Sequence, residues 1–289
     1  MNALHSLFNA ITVIFIAVTM FAAGLATTLS ALRAVLTDPR LPALAFLANL
    51  VAVPLLGWGI AVLFALPAAG FVALILVAAS PGGPFGAKLS VVQKGDVIAG
   101  TAMQVLLAAV ASLTFGPMST AVLSVADVGT TVSLDVAALV RTVAVLQLVP
   151  FVVGLVVRHY ARSTAHLWRP VAALVSNVTF MVVLVGMLLG SWHDIVALLG
   201  SRTLLAGFVL AVVAFAAGTL LATGPPARRT TMGSIAAVRN VAPPLAAVGI
   251  AFDGSQAILG ALAAVLVSGL AAALPIAAVL GHRRDDATT

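Results

Sequence analysis

The sequence contains no cysteine and no glutamate, and only 8% of its 289 residues are charged. The absence of cysteine excludes disulfide bonds, thiolate metal sites and a cysteine nucleophile. An ordinary globular protein has about 25% charged residues, so this chain has too few to cover a surface that faces water. Because 62% of the residues are hydrophobic, the composition predicts a polytopic membrane protein.

The positive charges are distributed singly along the chain. The formal net charge is +6, but Lys and Arg form no stripe of the kind that binds nucleic acid. In a membrane protein, such an excess is expected at the cytoplasmic ends of helices. We therefore expect the lipid bilayer and no nucleic acid as a partner, while the oligomeric state stays open.

Apolar stretches of about 20 or more residues fill most of the chain. As a helix, each stretch can cross a hydrocarbon core of about 30 Å, and helices satisfy the backbone of such segments in lipid. The sequence predicts an all-α fold, with residues 1–289 forming one transmembrane domain. The nine predicted spans are Ser6–Leu25, Leu41–Leu66, Ala68–Val92, Val97–Leu123, Leu134–Val157, Val171–Gly190, Thr203–Ala222, Met232–Phe252 and Gln256–Leu280.

The charges between the spans predict their orientation. With the N-terminus outside, ten basic residues fall in internal loops, whereas Arg202 falls in an external loop. Cytoplasmic loops carry the excess of Lys and Arg, so we expect the inner cell membrane, an external N-terminus and a cytoplasmic C-terminus. The ten residues are Arg33, Arg40, Lys94, Arg158, Arg162, Arg169, Arg228, Arg229, Arg283 and Arg284.

Two spans are interrupted near their middles by residues that break helices. The third span contains Ser80–Pro84, which reads Ser-Pro-Gly-Gly-Pro, and the eighth contains Arg239–Pro244, which reads Arg-Asn-Val-Ala-Pro-Pro. Proline removes an amide donor and glycine weakens a helix, so both stretches are predicted to unwind or kink. Interrupted helices in the two halves of a chain indicate a transporter binding site. A kink that serves packing alone is the alternative.

Arg239 and Lys88 are the cations closest to these interruptions. Arg239 lies ~15 Å into its span at the helical rise, and a charge at that depth is functional by default. Lys88 lies about 9 Å from the inner end of its span. Its ammonium group is expected either to reach a substrate or to snorkel to the interface.

The remaining polar residues predict no catalytic centre. Every histidine, and every aspartate, falls at a span end or in a loop, whereas an intramembrane hydrolase needs a buried nucleophile with its base, or a metal cluster. We expect neither an enzyme nor a cofactor. Gln104 is expected to contact the unwound backbone, a substrate or a neighbouring helix. The uncharged polar residues within spans are Asn49, Thr101, Gln104, Gln147, Asn177, Thr179 and Asn240.

Several motifs in order along the chain suggest a family. They are Ala22–Leu25, Leu36–Arg40, Val53–Gly57, Ser80–Gly83, Lys94–Asp96, Val149–Leu155 and the pair Arg239-Asn240. Pro-Gly-Gly at 81–83, followed by Lys-Gly-Asp at 94–96, is the most specific part. Together these motifs resemble those of the bile acid:sodium symporter family, and the likeness extends over nearly the whole chain.

The resemblance implies an inverted-repeat fold with a panel domain and a core domain. The panel would comprise residues of about 6–25 and 134–190, and the core residues of about 41–123 and 203–280, with two broken helices that cross. The family usually has ten helices, and this chain corresponds to nine of them without the first. The resemblance also implies secondary transport of small organic anions by alternating access.

This chain departs from the family where sodium-coupled members have their side-chain ligands. The resemblance places ligands with oxygen-bearing side chains at positions where this chain has groups that bind a hard cation poorly, apart from Gln104. We therefore expect no sodium coupling, with Lys88 and Arg239 supplying the positive charge that bound sodium would supply. The ligand positions that the resemblance implies are Gly86 and Ala87, which end the run Pro84–Ala87, together with Gly100, Gln104, Ile235 and Arg239.

The predicted substrate site lies where the two interruptions cross, and no metal is assigned to it. A sodium-independent efflux carrier of the auxin-efflux type, and a membrane receptor or channel without transport, are the alternative functions. The residues expected to line the site are Pro81, Gly82, Gly83, Pro84, Phe85, Gly86, Ala87, Lys88, Gln104, Arg239, Asn240, Val241 and Pro243.

Overall fold

A computed structural model describes residues 2–124, 135–190, 201–252 and 254–286 of the protein. Within these ranges, every regular element is a helix. The helices are α1 (Asn2–Ala26), α2 (Leu29–Leu36), α3 (Arg40–Leu63), α4 (Ala68–Ala78), α5 (Pro84–Val92), α6 (Val97–Ser124), α7 (Val136–Tyr160), α8 (Arg162–Gly190), α9 (Arg202–Leu220), α10 (Pro226–Ala237), α11 (Ala242–Ala251) and α12 (Gln256–Asp286).

Eight helical stretches in the described ranges are long and apolar enough to cross a membrane. They match eight of the nine predicted spans, with α10 and α11 forming one interrupted stretch. The remaining predicted span, the third, is the pair α4 and α5, and its two halves are separated by residues 79–83. The prediction of an all-α polytopic membrane protein with two interrupted spans is therefore confirmed.

Several helix boundaries differ from the predicted ones. The helix α2 occupies a stretch predicted as a loop, because the Thr28 hydroxyl accepts the amide hydrogen of Ala31 and caps it. The helix α10 begins at Pro226 and not at Met232, since proline suits the first turn of a helix. The spans predicted to begin at Val171 and to end at Leu280 belong to longer helices, α8 and α12. Leu134, the predicted start of the fifth span, lies outside the described residues.

The helix α1 packs against both α7 and α8. Gly24 of α1 and Gly154 of α7 face each other so closely that a Cβ on Gly24 would lie 2.8 Å from the backbone nitrogen of Leu155. Small residues allow such close packing between helices in lipid, where apolar surface alone gives little driving force. These three helices are the ones assigned to the panel, but the division into panel and core stays a prediction.

The short helix α4 lies in the centre of the remaining helices. All residues from Gly70 to Ala78 are buried, and α4 packs against α3, α9, α11 and α12. A helix that is apolar on every face needs protein or lipid on every side. The first interruption directly follows α4 in the chain, and it therefore lies deep inside the protein.

Candidate functional site

The two interruptions lie against each other in the middle of the protein. The backbone amide of Asn240 donates a hydrogen bond of 2.7 Å to the carbonyl oxygen of Ser80. A Cβ on Gly83 would lie 2.6 Å from the carbonyl carbon of Arg239, so only glycine allows this approach. The crossing that the sequence predicted is thus a direct contact between two stretches of unwound backbone.

The sequence of the first interruption explains why backbone oxygens are available there. Pro81 has no amide hydrogen to continue the helix, and Gly82 adopts a φ of 84°, which favours glycine. A Cβ on Gly82 would also lie 2.5 Å from the backbone nitrogen of Ala108 in α6. The helix therefore ends at Ala78, and its last carbonyl groups need partners from elsewhere.

The Arg239 guanidinium supplies those partners. Its Nε donates to the Val77 carbonyl at 3.3 Å, and one terminal nitrogen donates to the Ala78 carbonyl and to the Asn49 carbonyl at 3.1 Å. The other terminal nitrogen donates to the Asn49 side-chain oxygen at 2.7 Å and to the Ala236 carbonyl at 3.4 Å. Arginine has five N–H donors, and each has an acceptor here.

The backbone of Asn49 is free to accept because of a local irregularity in α3. Residues Leu47–Ala52 form π-helical turns, in which the amide of Val53 bonds to the carbonyl of Ala48. The next such bond would run from residue 54 to Asn49, but Pro54 has no N–H. The Asn49 carbonyl oxygen is therefore available to accept a hydrogen bond from Arg239.

The charge of Arg239 is balanced by helix ends. Val77 and Ala78 end α4, and Ala236 lies at the end of α10, so two helix C-termini with partial negative charge point at one guanidinium. The side chain is only 6% exposed. Among the described residues, ion pairs join Lys94 to Asp285 and Arg228 to Asp96, and no carboxylate pairs with Arg239.

Asn240 connects the second interruption to α7. Its side-chain amide donates to the Gln147 side-chain oxygen at 3.0 Å, and its own side-chain oxygen accepts the backbone amide of Ala242 at 3.1 Å. The second of these bonds holds the start of α11, where Pro243 and Pro244 have no amide hydrogens of their own. Asn240 is therefore buried and bonded on both sides.

Lys88 lies away from Arg239 and faces α8. Its ammonium nitrogen donates a hydrogen bond of 2.6 Å to the Asn177 side-chain oxygen and lies 4.7 Å from the centre of the Phe85 ring. The Phe85 ring in turn packs on Phe180 of α8, with 4.8 Å between the ring centres. The two predicted cations thus occupy different surroundings, since Arg239 is buried and Lys88 is exposed.

Two cavities border the crossing. The larger has an empty volume of about 770 Å³, part of it open to the surroundings, and its walls are apolar apart from Arg239. Its lining includes Phe15, Phe85, Phe180, Arg239, Val241 and Leu266. The smaller, of about 260 Å³, lies between α1, α6 and α7 and is lined in part by Gln104 and Gln147.

The predicted site residues are therefore divided among four surroundings. Phe85, Arg239 and Val241 border the larger cavity, Gln104 borders the smaller one, and Lys88 lies beside Asn177. The others belong to the crossing or to its flanks, except Pro84, whose side chain lies outside the described part. These are Pro81, Gly82, Gly83, Gly86, Ala87, Asn240 and Pro243. Their contact with a substrate stays a prediction.

At two of the positions aligned with sodium ligands, Gly86 and Gly100, neighbouring helices leave no space for a side chain. A Cβ on Gly86 would lie 2.9 Å from the Cα of Ile235, whose side chain is fully buried. A Cβ on Gly100 would lie 2.8 Å from a methyl carbon of Thr231. Beside these two glycines, α5, α6 and α10 are in close contact, and the side chains of Ile235 and Thr231 take up the space.

Three amide side chains at the site were not among the predicted site residues. They are Asn49, Gln147 and Asn177, the partners of Arg239, Asn240 and Lys88. The signal available in the sequence was that each is an amide inside an apolar span. It indicated burial of a polar group, which needs a partner, but it could not indicate which partner.

Comparisons with known proteins show which family the chain is similar to. A model of the sodium bile acid symporter family matches residues 13–199. The chain is 26% identical to the P3 protein of Bos taurus over 269 residues. The matched stretch covers 90% of this chain and 54% of that protein. The P3 protein of Homo sapiens is 26% identical over 265 residues, with the same two shares.

A plant protein is similar over a shorter stretch. This chain is 32% identical over 136 residues to the "Probable sodium/metabolite cotransporter BASS3, chloroplastic" of Arabidopsis thaliana. The matched stretch covers 46% of this chain and 30% of that protein. The chain spans about half the length of the P3 proteins that it matches. Because the family model covers more than half of the chain, the chain belongs to the sodium bile acid symporter family.

Proposed function

We propose that this protein is a secondary transporter that moves small organic anions across the inner membrane by alternating access, without coupled sodium. Family membership supports secondary transport. The name of the BASS3 relative refers to cotransport of sodium and a metabolite, and our proposal departs from that name in the coupling ion. The observation that carries this departure is the Arg239 guanidinium bonded within the crossing.

Arg239 takes the place of a bound cation in this proposal. A sodium ion at the crossing would need oxygen ligands, but the Asn49 and Ala78 carbonyl oxygens already accept from the guanidinium. A cation close to Arg239 would also be repelled by its charge in a site of low dielectric constant. The Arg239 guanidinium therefore supplies a permanent positive charge at the two helix C-termini, and no cation has to enter or leave with the substrate.

The substrate is proposed to be an anion because the charges around the crossing are positive. The helices α5 and α11 begin there, at Pro84 and Ala242, and helix N-termini carry partial positive charge. Arg239 borders the larger cavity and acts on an anion there chiefly through its field, since its donors are engaged. Lys88 adds the exposed cation.

Alternating access is proposed to occur between the panel and core helices. Helices α1, α7 and α8 would form the panel, and the bonds of Asn240 to Gln147 and of Lys88 to Asn177 would join it to the core. Without a coupled cation, the membrane potential acts on the charge of the anion. An inside-negative potential then favours export or exchange. We also propose that the N-terminus is external and the C-terminus cytoplasmic.

The test is anion efflux from proteoliposomes that contain only potassium as the cation. Purified protein would be reconstituted with labelled pantoate or taurocholate inside, and valinomycin would set an inside-negative potential. A potential of 100 mV contributes about 2.3 kcal/mol to a monovalent anion, or roughly 50-fold in its equilibrium distribution. We expect potential-driven efflux of at least one probe, and counterflow against unlabelled substrate, which a channel does not show.

Two results would contradict the proposal. Efflux that requires sodium on the loaded side would restore cation coupling. The absence of flux for every carboxylate and sulfonate tested, in protein that is monodisperse and correctly inserted, would remove the anion assignment. Liposomes without protein provide the control for passive leakage.

A further inference from the structure

Lys88 is an exposed cation with a neutral partner. Its ammonium nitrogen lies 2.6 Å from the Asn177 side-chain oxygen, and no carboxylate of the described residues lies within ion-pair distance. Lys94, only six residues later, pairs with Asp285. The lysine just after α5 thus has a carboxylate partner, whereas the lysine within α5, nearer to the crossing, has a neutral one.

We propose that Lys88 is the direct anion-binding group of the transporter, and that the Asn177 side-chain oxygen occupies the position of a substrate oxygen until the substrate arrives. The inference rests on the proposed function and names the residues that hold the substrate's charged head. A lysine ammonium has three donors, and Asn177 takes one of them. A carboxylate forms a stronger, charge-assisted bond than a neutral amide, so an anion displaces Asn177.

The surroundings of Lys88 provide room for the rest of such an anion. Phe85 lies under the ammonium group and also lines the larger cavity, as does Phe180. The cavity is apolar over most of its wall, with an empty volume of about 770 Å³. A carboxylate or sulfonate with a non-polar body would therefore place its charged head at Lys88 and its body in this cavity, against these two aromatic rings.

The Lys88–Asn177 bond also links binding to movement. Lys88 belongs to α5, which follows the crossing, and Asn177 belongs to α8, which packs on α1. An anion that replaces the amide removes a bond between these two groups of helices. Substrate binding thereby removes one of the bonds between them while the Asn240–Gln147 bond remains, and this loss favours the rearrangement of alternating access.

The experiment compares four variants by ligand-induced thermal stabilisation in detergent. The probes are the potassium salts of pantoate, benzoate and taurocholate, titrated in potassium buffer and again in sodium buffer. The variants are Asn177→Leu, which removes the competing oxygen and keeps a similarly branched side chain, Asn177→Asp, Lys88→Gln, and Lys94→Gln as the matched loss of a lysine. Ligand binding to the folded state raises the melting midpoint by mass action, so each titration gives an apparent affinity.

We expect opposite effects from the two Asn177 variants. For each probe that binds the wild type, Asn177→Leu should bind at least threefold more tightly, because the anion no longer competes with the amide. Asn177→Asp should bind at least tenfold more weakly, because its carboxylate pairs with Lys88. Lys88→Gln should also lose at least tenfold, whereas Lys94→Gln should keep the wild-type affinity. Asn177→Ala repeats the first test if the leucine variant is not monodisperse.

The outcomes separate this inference from the proposed function. Wild-type binding in potassium that persists in Lys88→Gln would overturn the Lys88 site alone. Weaker binding by both Asn177→Leu and Asn177→Ala would show that Asn177 holds the ligand and would overturn the competition. Binding that needs sodium but is still lost in Lys88→Gln would overturn sodium independence and support the site. The absence of binding by wild type in both buffers would overturn both.

Discussion

Replacing Arg239 by alanine should destabilise the protein strongly. The substitution removes the guanidinium that joins α3, α4 and α10 through five hydrogen bonds. Val77 keeps a partner, because its carbonyl also accepts from the backbone amide and the hydroxyl of Ser80. Four other oxygens lose their arginine donor: both oxygens of Asn49 and the carbonyls of Ala78 and Ala236.

The size of the effect follows from these four oxygens. A buried acceptor left without a partner costs about 1–3 kcal/mol, which gives an upper range of roughly 4–12 kcal/mol for four of them. The Ala236 contact is long, at 3.4 Å, and water from the adjoining cavity offsets part of the loss. We therefore expect a loss of at least about 3 kcal/mol. At about 2–4 °C per kcal/mol for a chain of this size, the midpoint should fall by at least about 6 °C.

The assay is thermal unfolding of purified protein in detergent, followed by circular dichroism, with ligand titrations on the folded variant. Arg229→Ala is the matched control, because Arg229 lies on α10 and its Nε donates to the Thr219 carbonyl at 3.2 Å outside the crossing. Its midpoint should fall by much less. Arg239→Lys should recover part of the stability, since an ammonium has fewer donors and no planar fork.

The reasoning would be refuted by a variant that melts like the wild type but no longer binds. Losing a direct charge-assisted contact with the substrate costs about 2–5 kcal/mol, which is roughly 30- to 5,000-fold in affinity. If Arg239→Ala lost that much affinity with an unchanged midpoint, Arg239 would be a substrate ligand and not the fixed charge of the crossing.

Three further predictions concern the crossing, the sodium ligands and the topology. Gly83→Ala should lower the melting midpoint by several degrees, because its Cβ would meet the Arg239 backbone. Gly249→Ala is the control and should keep the midpoint, since nothing lies within 4 Å of its Cβ. Equal midpoints for the two variants would contradict the close crossing. Arg239→Gln, which puts an oxygen-bearing side chain at this position, should not create sodium-dependent binding in titrations, because Ile235 and Gly86 still provide no oxygen ligand. A higher affinity in sodium than in potassium would show that Arg239 alone excludes the ion. Ser124→Cys should react with an impermeant thiol reagent from outside intact cells and Ser163→Cys should not, a test without background in a chain that has no cysteine; the reverse pattern would invert the topology.

Much of the fold could be predicted because lipid makes hydropathy and helix breakers decisive. The nine spans followed from apolar length, and both interruptions followed from proline and glycine at 81–84 and 243–244. The errors fell at helix ends outside the apolar stretches. The short helix α2 depends on the Thr28 cap, and α10 begins in a polar stretch that hydropathy does not mark as a span.

The site could be predicted only in part, because a sequence gives residue types and not partners. The depth of Arg239 indicated a functional charge, but its acceptors come from a π-helical turn at Asn49 and from carbonyl groups freed by Pro54 and Pro81. All of the acceptors except the Asn49 side-chain oxygen are backbone carbonyls, and which carbonyls lie near Arg239 depends on the fold. The partner of Lys88 could not be predicted either, because its hydrogen bond to Asn177 depends on how α8 packs beside α5.

The most direct test of the central claim is the affinity of the wild-type protein for an organic anion in sodium and in potassium at constant ionic strength. With Arg239 fixed at the crossing, we predict the same affinity for pantoate or taurocholate in both buffers, within a factor of about two. An affinity at least tenfold higher in sodium, equivalent to about 1.4 kcal/mol, would contradict the claim, because it would mean that a sodium ion binds together with the substrate.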